Sequence, residues 1–126
     1  MHTFLERVSK SFELVLFTAA SQAYADLIVD AIESDRVYFS HRLYRQHCRE
    51  VTLYDANGLE TGSYYVKELH AVRDRQIQDS LLLDDNGVHA QANPGRCLLI
   101  ASFDGQISFE EEEKELQHAL ELLLSA

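Results

Sequence analysis

Residues 81–86 read Leu-Leu-Leu-Asp-Asp-Asn, and this run limits the choice of fold more than any other part of the chain. Three consecutive apolar residues suit a strand that is covered on both faces, as strands of a parallel α/β sheet are. Asp84 and Asp85 then follow at the carboxyl end of that strand, which is where α/β folds bind their ligands. Two like charges side by side are unfavourable unless a cation or a Lys neutralises them. The pattern therefore predicts a hard divalent metal ion at this pair, most simply Mg2+.

The rest of the chain alternates strands and helices, which predicts an α/β domain with parallel strands. Its 126 residues have the length of one domain, and no linker or internal repeat divides them. A hairpin interrupts the alternation, with arms at 51–54 and 63–66 around the turn residues 55–58. The other elements that we expect are strands at 12–17, 37–43, 81–84 and 97–101 and helical segments at 3–12, after 21, at 67–72, at 86–92 and after 108.

Two of these helices carry apolar residues at helical spacing, and we expect these residues to face the core. In the helix that Ser21 caps they are Tyr24, Leu27, Ile28 and Ala31. The last helix opens with a capping box of Ser108 and Glu111. Its apolar stripe comprises Leu116, Ala119, Leu120, Leu123 and Leu124.

The formal net charge of −10 excludes several kinds of partner. An acidic chain does not bind the nucleic-acid backbone, so we expect no direct nucleic-acid partner. No apolar run approaches the roughly 20 residues of a membrane span, and residues 1–10 contain no signal-peptide core. The composition predicts a soluble intracellular protein, nuclear or cytoplasmic, without a membrane span in this segment.

Two further polar residues lie where strands end. Thr18 directly follows the first apolar strand, where its hydroxyl either binds a phosphoryl oxygen or simply starts a helix. Lys67 lies between apolar neighbours, and a lone Lys in such a place usually reaches out to solvent. Beside Asp84 and Asp85, however, Lys67 would compensate their charge and contact phosphate, as phosphoryl transfer requires.

Four motifs, in order, resemble the small C-terminal-domain phosphatases, which are protein serine phosphatases of the haloacid dehalogenase superfamily. They are Phe-Glu-Leu-Val-Leu-Phe-Thr-Ala-Ala at 12–20, Arg-Leu-Tyr-Arg-Gln-His-Cys at 42–48, Tyr-Val-Lys-Glu-Leu at 65–69 and Leu-Asp-Asp-Asn at 83–86. The resemblance spans roughly residues 4–123. It implies one domain over 1–126 with a three-layer, Rossmann-like haloacid dehalogenase fold, a mostly parallel sheet and a β-hairpin insertion at 51–66.

The resemblance also implies a function: a Mg2+-dependent phosphoprotein phosphatase for phosphoserine or phosphothreonine, acting through an aspartyl-phosphate. Thr18 would bind the transferring phosphoryl group. Lys67 would neutralise that group and hold the carboxylate of Asp84. Asp85 would ligate Mg2+ with support from Asp84, and Arg45 would orient a phosphopeptide or brace the loop.

The chain departs from the family pattern in two places. It contains no Asp-x-Asp-x-Thr, the motif whose first Asp is the nucleophile and whose second is the general acid. We therefore expect either a domain that is incomplete at its N-terminus and inactive alone, because that motif lies on the family's central strand, or a diverged domain that another segment completes. The hairpin makes the loop before Tyr65 about ten residues longer than usual, which either tunes substrate choice or is a tolerated surface insertion.

Two other functions stay open from the sequence. A mitochondrial presequence-import receptor shares this domain, and an acidic, non-catalytic binding module of that kind would suit basic presequences in mitochondria. A phosphoacceptor receiver domain also holds Mg2+ with an Asp pair. That pair comes early in a receiver, however, whereas Asp84 and Asp85 come late here, so this alternative ranks last.

Overall fold

The chain alternates helices and strands, as the sequence predicts. The computed structural model describes residues 2–99 and 109–125. Its helices are α1 (His2–Ser9), α2 (Gln22–Ile32), α3 (Gly87–Ala92) and α4 (Phe109–Ser125). Its strands are β1 (Val15–Phe17), β2 (His41–Leu43), β3 (Arg49–Tyr54), β4 (Glu60–Val66), β5 (Leu82–Asp84) and β6 (Cys97–Leu99), and short 3-10 turns lie at Arg45–His47, Leu69–Ala71 and Ile77–Asp79. The mixed α/β class is confirmed.

Within the described residues, the strands form three two-stranded sheets. β1 pairs with β2 and β5 pairs with β6, both in parallel, while β3 and β4 are antiparallel. The parallel pairs and the hairpin are confirmed, but the described residues do not join them into one mostly parallel sheet. β1 and β5 each have a strand partner along only one edge in this part of the chain, and the other edge leaves backbone groups without a ladder partner.

Several elements are shorter than the sequence suggests. The strands expected at 12–17 and 37–43 reduce to β1 and β2, because only those residues pair in register. The helix expected at 3–12 ends at Ser9, and the one expected at 67–72 is a single 3-10 turn. The strand expected at 97–101 is described only as far as Leu99. Apolar character extends beyond a paired segment, so it overestimates strand length.

The hairpin turn forms as its residue types predict. The Asp55 carboxylate accepts the backbone N–H groups of Asn57 and Leu59 at 2.9 and 3.0 Å. The Gly58 N–H donates to the Asp55 carbonyl at 3.0 Å, and Gly58 has a φ of +80°, a left-handed conformation that favours glycine. The strands extend from this turn to Arg49 and Val66, so the hairpin is longer than the sequence indicated.

Helix α4 packs on α1 and forms the main apolar cluster. Val8, Leu120 and Leu123 are buried there, with Leu98 packed against them from β6. The predicted stripe of α4 is confirmed for its buried members, Leu116, Ala119, Leu120 and Leu123. The side chain of Leu124 and the capping box of Ser108 and Glu111 lie outside the described residues.

The predicted core face of α2 is wrong. Its members are exposed: Tyr24, Leu27, Ile28 and Ala31. The helix instead buries Ala25 and Val29, which are also four residues apart. A period of 3.6 residues fits both stripes, so spacing alone does not decide which one the rest of the chain covers. Ser21 is the N-cap residue as predicted, but its side chain makes no capping hydrogen bond.

An arginine in β2 fixes α2 against that strand. The Arg42 guanidinium bonds to the carboxylates of Asp26 at 2.9 Å, Asp30 at 3.0 Å and Glu33 at 2.7 Å. Glu33 also accepts the backbone N–H groups of residues 38–39. The turn that carries Thr18 lies between β1 and α2, so this network holds both sides of that turn in place.

Two leucines in helices test the assignment of the core. Leu120→Ala should lower the free energy of unfolding by about 2–5 kcal/mol, because it leaves a cavity among buried side chains. Leu27→Ala, at a position that is 74% exposed, should change it by less than about 0.5 kcal/mol. Urea denaturation of both variants measures these changes in the free energy of unfolding. Equal losses of stability in Leu120→Ala and Leu27→Ala would contradict the core described above.

Candidate functional site

A buried ion pair joins the end of β4 to the end of β5. Lys67 directly follows β4, and its ammonium donates to Oδ2 of Asp84, the last residue of β5, at 2.5 Å. The two side chains are 13% and 8% exposed. Charges removed from water to this extent are tolerated only when they are paired and hydrogen-bonded. The structure thus brings two of the predicted site residues into direct contact.

The second oxygen of Asp84 is also held by the protein. Oδ1 accepts the backbone N–H groups of Asp85 at 2.9 Å and Asn86 at 3.1 Å. Burial raises the pKa of Asp84, but the hydrogen bond and charge of Lys67 and the Asn86 N–H outweigh it, so that the pKa lies below its usual range. Asp84 is therefore an anion with a fixed position.

His89 and Asn93, which the sequence did not mark as site residues, fix the backbone around Lys67. His89 Nδ1 accepts the Lys67 backbone N–H at 3.1 Å, and its Nε2 lies 4.0 Å from Asp84 Oδ1. Asn93 donates to the carbonyls of Lys67 and His89 at 2.7 and 2.8 Å and accepts the Leu69 N–H at 2.8 Å. Both residues are buried. In the sequence they are polar residues four positions apart, His89 within the short helix α3 and Asn93 directly after it.

The environment of His89 keeps its ring neutral. Burial lowers the pKa of His89, the nearby Lys67 lowers it further, and the charge of Asp84 only partly offsets both. A neutral ring agrees with the geometry, because Nδ1 must lack a proton in order to accept the Lys67 N–H. His89 thus acts as a fixed acceptor in this site.

Thr18 belongs to a second group of residues, in the turn between β1 and α2. Its hydroxyl oxygen accepts the Ala20 N–H at 3.1 Å. Arg45 braces the same turn, donating from Nε to the Ala19 carbonyl at 2.9 Å and from its backbone N–H to the Ala20 carbonyl at 3.1 Å. The Arg45 guanidinium also lies over the ring of Tyr65, 5.3 Å from its centroid. Bracing is one of the two roles that the resemblance left open for Arg45.

Cys48 contacts the Thr18 turn and is near enough to Lys67 and Asp84 for their charges to act on its thiol. Its Sγ is 3.8 Å from the Thr18 carbonyl oxygen. Burial raises the pKa of the Cys48 thiol, and the charges of Lys67, Arg45 and Asp84 also act on it. In the described part of the chain, no hydrogen bond joins Thr18 to Lys67 or Asp84. The structure therefore joins Lys67 to Asp84 directly, whereas Thr18 and Arg45 form a separate group that Cys48 contacts at the Thr18 carbonyl.

The sequence predicts that Asp84 and Asp85 hold a metal ion, and the described residues show the surroundings of that pair. No three His, Cys, Asp or Glu side chains among them come close enough together to hold a metal ion. Asp85 is exposed immediately after the buried Asp84. Proteins commonly bind Mg2+ through one or two carboxylates, with water and substrate phosphate completing its coordination. An exposed carboxylate beside an anchored one fits a Mg2+ ion held in that way.

Comparison with known proteins decides the family. The family model described as NLI interacting factor-like phosphatase matches residues 1–126. The chain belongs to this family. Its relatives are members of the haloacid dehalogenase superfamily, so the resemblance drawn from the four motifs is confirmed.

Several relatives of the chain are named phosphatases. CTD nuclear envelope phosphatase 1B of Danio rerio is 32% identical over 100 residues, covering 79% of this chain and 36% of the relative. Phosphatase PSR1 of Saccharomyces cerevisiae is 34% identical over 100 residues, covering 79% and 21%. Nuclear envelope morphology protein 1 of Schizosaccharomyces pombe is 56% identical over 45 residues, covering 36% and 10%. The matched part of the chain covers 36% or less of the length of each of these relatives. No helix among its described residues is long and apolar enough to cross a membrane.

Removing the cation of the buried pair should be costly. Lys67→Met should lower the free energy of unfolding by about 3–5 kcal/mol at pH 7, because Asp84 would remain buried without its counter-charge. Arg75→Met is the matched control, since Arg75 and Glu13 form an ion pair with side chains 38% and 40% exposed and such pairs contribute about 0–1 kcal/mol.

The same variant has a predicted pH dependence. With a lowered pKa in the folded state, Asp84 stabilises the wild type fully above the ordinary carboxyl pKa of about 3.9, and this contribution disappears as the pH falls through the lower folded value. Denaturation curves of wild type and Lys67→Met should therefore converge in acid. The role of the pair would be contradicted if the difference in free energy of unfolding between wild type and Lys67→Met stayed constant down to acid pH. It would also be contradicted if Lys67→Met and Arg75→Met lowered that free energy equally.

Proposed function

We propose that this protein is a Mg2+-dependent phosphatase that removes phosphate from phosphoserine or phosphothreonine in proteins. One observation carries the proposal: the buried pair of Lys67 and Asp84 at adjoining strand ends, with the exposed Asp85 beside it. A fixed cation next to an exposed carboxylate provides both charges that a phosphoryl group and its metal ion need. Membership of a phosphatase family supports the same reaction class.

Lys67 and Thr18 have donors to offer a phosphoryl group. An ammonium has three N–H donors, and Asp84 is the one side chain among the described residues that accepts from Lys67. Two N–H groups therefore remain for phosphoryl oxygens. The Thr18 hydroxyl accepts from Ala20 and keeps its own proton available to donate. Arg45 uses Nε to brace the Thr18 turn and makes no hydrogen bond from its terminal nitrogens within the described residues, so these can bind a phosphopeptide.

Asp85 would hold Mg2+, and Asp84 would support the same site. When bound, the ion neutralises the charge on the phosphoryl oxygens. Asp84 itself is engaged on both oxygens by Lys67 and by backbone N–H groups, so its main task would be to hold Lys67 in position. Because Asp85 is exposed, an ion held there would be accessible to water and to the substrate.

The proposed mechanism proceeds through an aspartyl-phosphate. A nucleophilic carboxylate attacks phosphorus, the P–O bond to the substrate serine or threonine breaks, and a second carboxyl group protonates the departing oxygen. Water then attacks the aspartyl-phosphate, releasing inorganic phosphate and restoring the carboxylate. Neither carboxylate is present here as an Asp-x-Asp-x-Thr motif, so we propose that both come from outside these 126 residues.

The strand that carries those carboxylates would also complete the fold. β1 and β5 each have a strand partner on only one edge within the described residues. Both consist largely of apolar residues, as strands covered on both faces do. We propose that the additional strand pairs with these edges to give the three-layer, Rossmann-like haloacid dehalogenase fold with a mostly parallel sheet, from which the 51–66 hairpin projects.

The comparisons do not favour the alternative of a non-catalytic presequence-binding module, since the relatives reported above include named phosphatases. The partner that we propose is a phosphoprotein or phosphopeptide, with no direct contact to nucleic acid. We propose a location inside the cell, nuclear or cytoplasmic, because two of those relatives are named for the nuclear envelope.

The full-length protein should release inorganic phosphate from a phosphoserine peptide in the presence of Mg2+ and lose this activity in a chelator. Asp85→Ala should lower kcat/KM by about a hundredfold or more, because a fixed charge that acts on the transition state is removed. Asp79→Ala is the matched control, since Asp79 is exposed and lies before the opposite end of β5. The isolated 126-residue chain should show no turnover. Metal-independent hydrolysis that survives Asp85→Ala would overturn the proposal.

A further inference from the structure

A surface cleft of about 390 Å3 opens beside the turn that carries Thr18. One wall comes from the start of α2 and the segment around Arg45, and the other comes from the hairpin through Glu50 and Tyr65. These two hairpin residues are partners in the β3–β4 register, so their side chains lie on the same face of the hairpin. The hairpin insertion therefore helps to build the cleft.

Arg45 connects this cleft to the proposed phosphoryl site. Its guanidinium lies over the Tyr65 ring in the cleft and donates from Nε to the carbonyl of Ala19, the residue after Thr18. Arg45 and Glu50 both line the cleft, and Arg45 also contacts the turn that carries Thr18. A peptide whose phosphate is near Thr18 would meet positive charge at Arg45 and negative charge at Glu50.

Glu50 supplies a negative charge to the cleft. Its carboxylate is exposed, and no ion pair joins it to another side chain in the described part of the protein. Lys and Arg match this arrangement, because a carboxylate accepts a charge-assisted hydrogen bond and the aliphatic part of either side chain can pack on an aromatic ring such as Tyr65. The net charge of −10 also attracts basic substrates.

We propose that this cleft binds a residue that flanks the phosphorylated one, and that Glu50 makes a Lys or Arg preferred there. The inference rests on the proposed phosphatase function and adds a substrate class to it: phosphopeptides with a basic residue near the phosphoserine. It also gives the first strand of the hairpin, through Glu50, a role in substrate choice.

The test uses the full-length protein and a set of phosphoserine peptides that differ at one flanking position at a time, which carries Lys, Ala or Glu. At the flanking position that the cleft binds, the wild type should hydrolyse the Lys peptide with a kcat/KM about tenfold above that of the Glu peptide. The reason is that Glu50 attracts a Lys and repels a Glu. Glu50→Gln should reduce this ratio, and Glu50→Lys should invert it. Glu60→Lys is the matched control, because it changes the net charge equally from the far end of the hairpin, opposite Tyr54.

Binding of the same peptides, measured by fluorescence anisotropy in a chelator, separates this inference from the phosphatase proposal. If all peptides were hydrolysed at equal rates, the role of Glu50 would be overturned and the phosphatase function would stand. The same would follow if Glu50→Lys and Glu60→Lys changed the ratio of kcat/KM between the Lys and Glu peptides equally. Binding that prefers Lys and depends on Glu50, without hydrolysis, would support the cleft and contradict the phosphatase. Absence of any Glu50-dependent preference in both measurements would overturn the inference.

Discussion

The buried pair of Lys67 and Asp84 is the interaction on which the site depends. It connects the hairpin to a parallel strand pair, because Lys67 follows β4 and Asp84 ends β5. Neither charge is stable alone at this depth, so each residue limits where the other can lie. The pair also explains why Asp84 keeps a pKa below its usual range although it is buried. One contact thus sets both the geometry and the charge of the candidate site.

The surrounding residues hold that contact from the backbone side. His89 and Asn93 bind the N–H and the carbonyl of Lys67, which fixes the point from which its long side chain extends. Arg45 does the same for the Thr18 turn through two carbonyl oxygens. Both arrangements use hydrogen bonds to the backbone to hold a candidate site residue in place. A phosphoryl-binding site needs this preorganisation, since its donors must be in place before charge develops on the substrate.

The sequence predicted the parts of this arrangement whose residue types are unusual in their context. A Lys between apolar neighbours and an Asp pair after three leucines both demand a partner, and the structure pairs Lys67 with Asp84. It did not single out His89, because a polar residue in a short helix signals nothing until its neighbours in space are known. It also gave the wrong core face for α2, where two stripes satisfy the same period. The joining of strands into one sheet depends on long-range pairing, which local pattern does not encode.

Binding of inorganic phosphate tests the central claim most directly, because it needs neither the nucleophile nor a peptide. The account predicts that the protein binds phosphate in the presence of Mg2+ in a calorimetric titration. Lys67→Met should weaken this binding by about tenfold or more, because a charge-assisted hydrogen bond to the phosphate is lost, while Arg75→Met should leave it unchanged. Equal phosphate affinity in wild type and in a folded Lys67→Met protein would contradict the account.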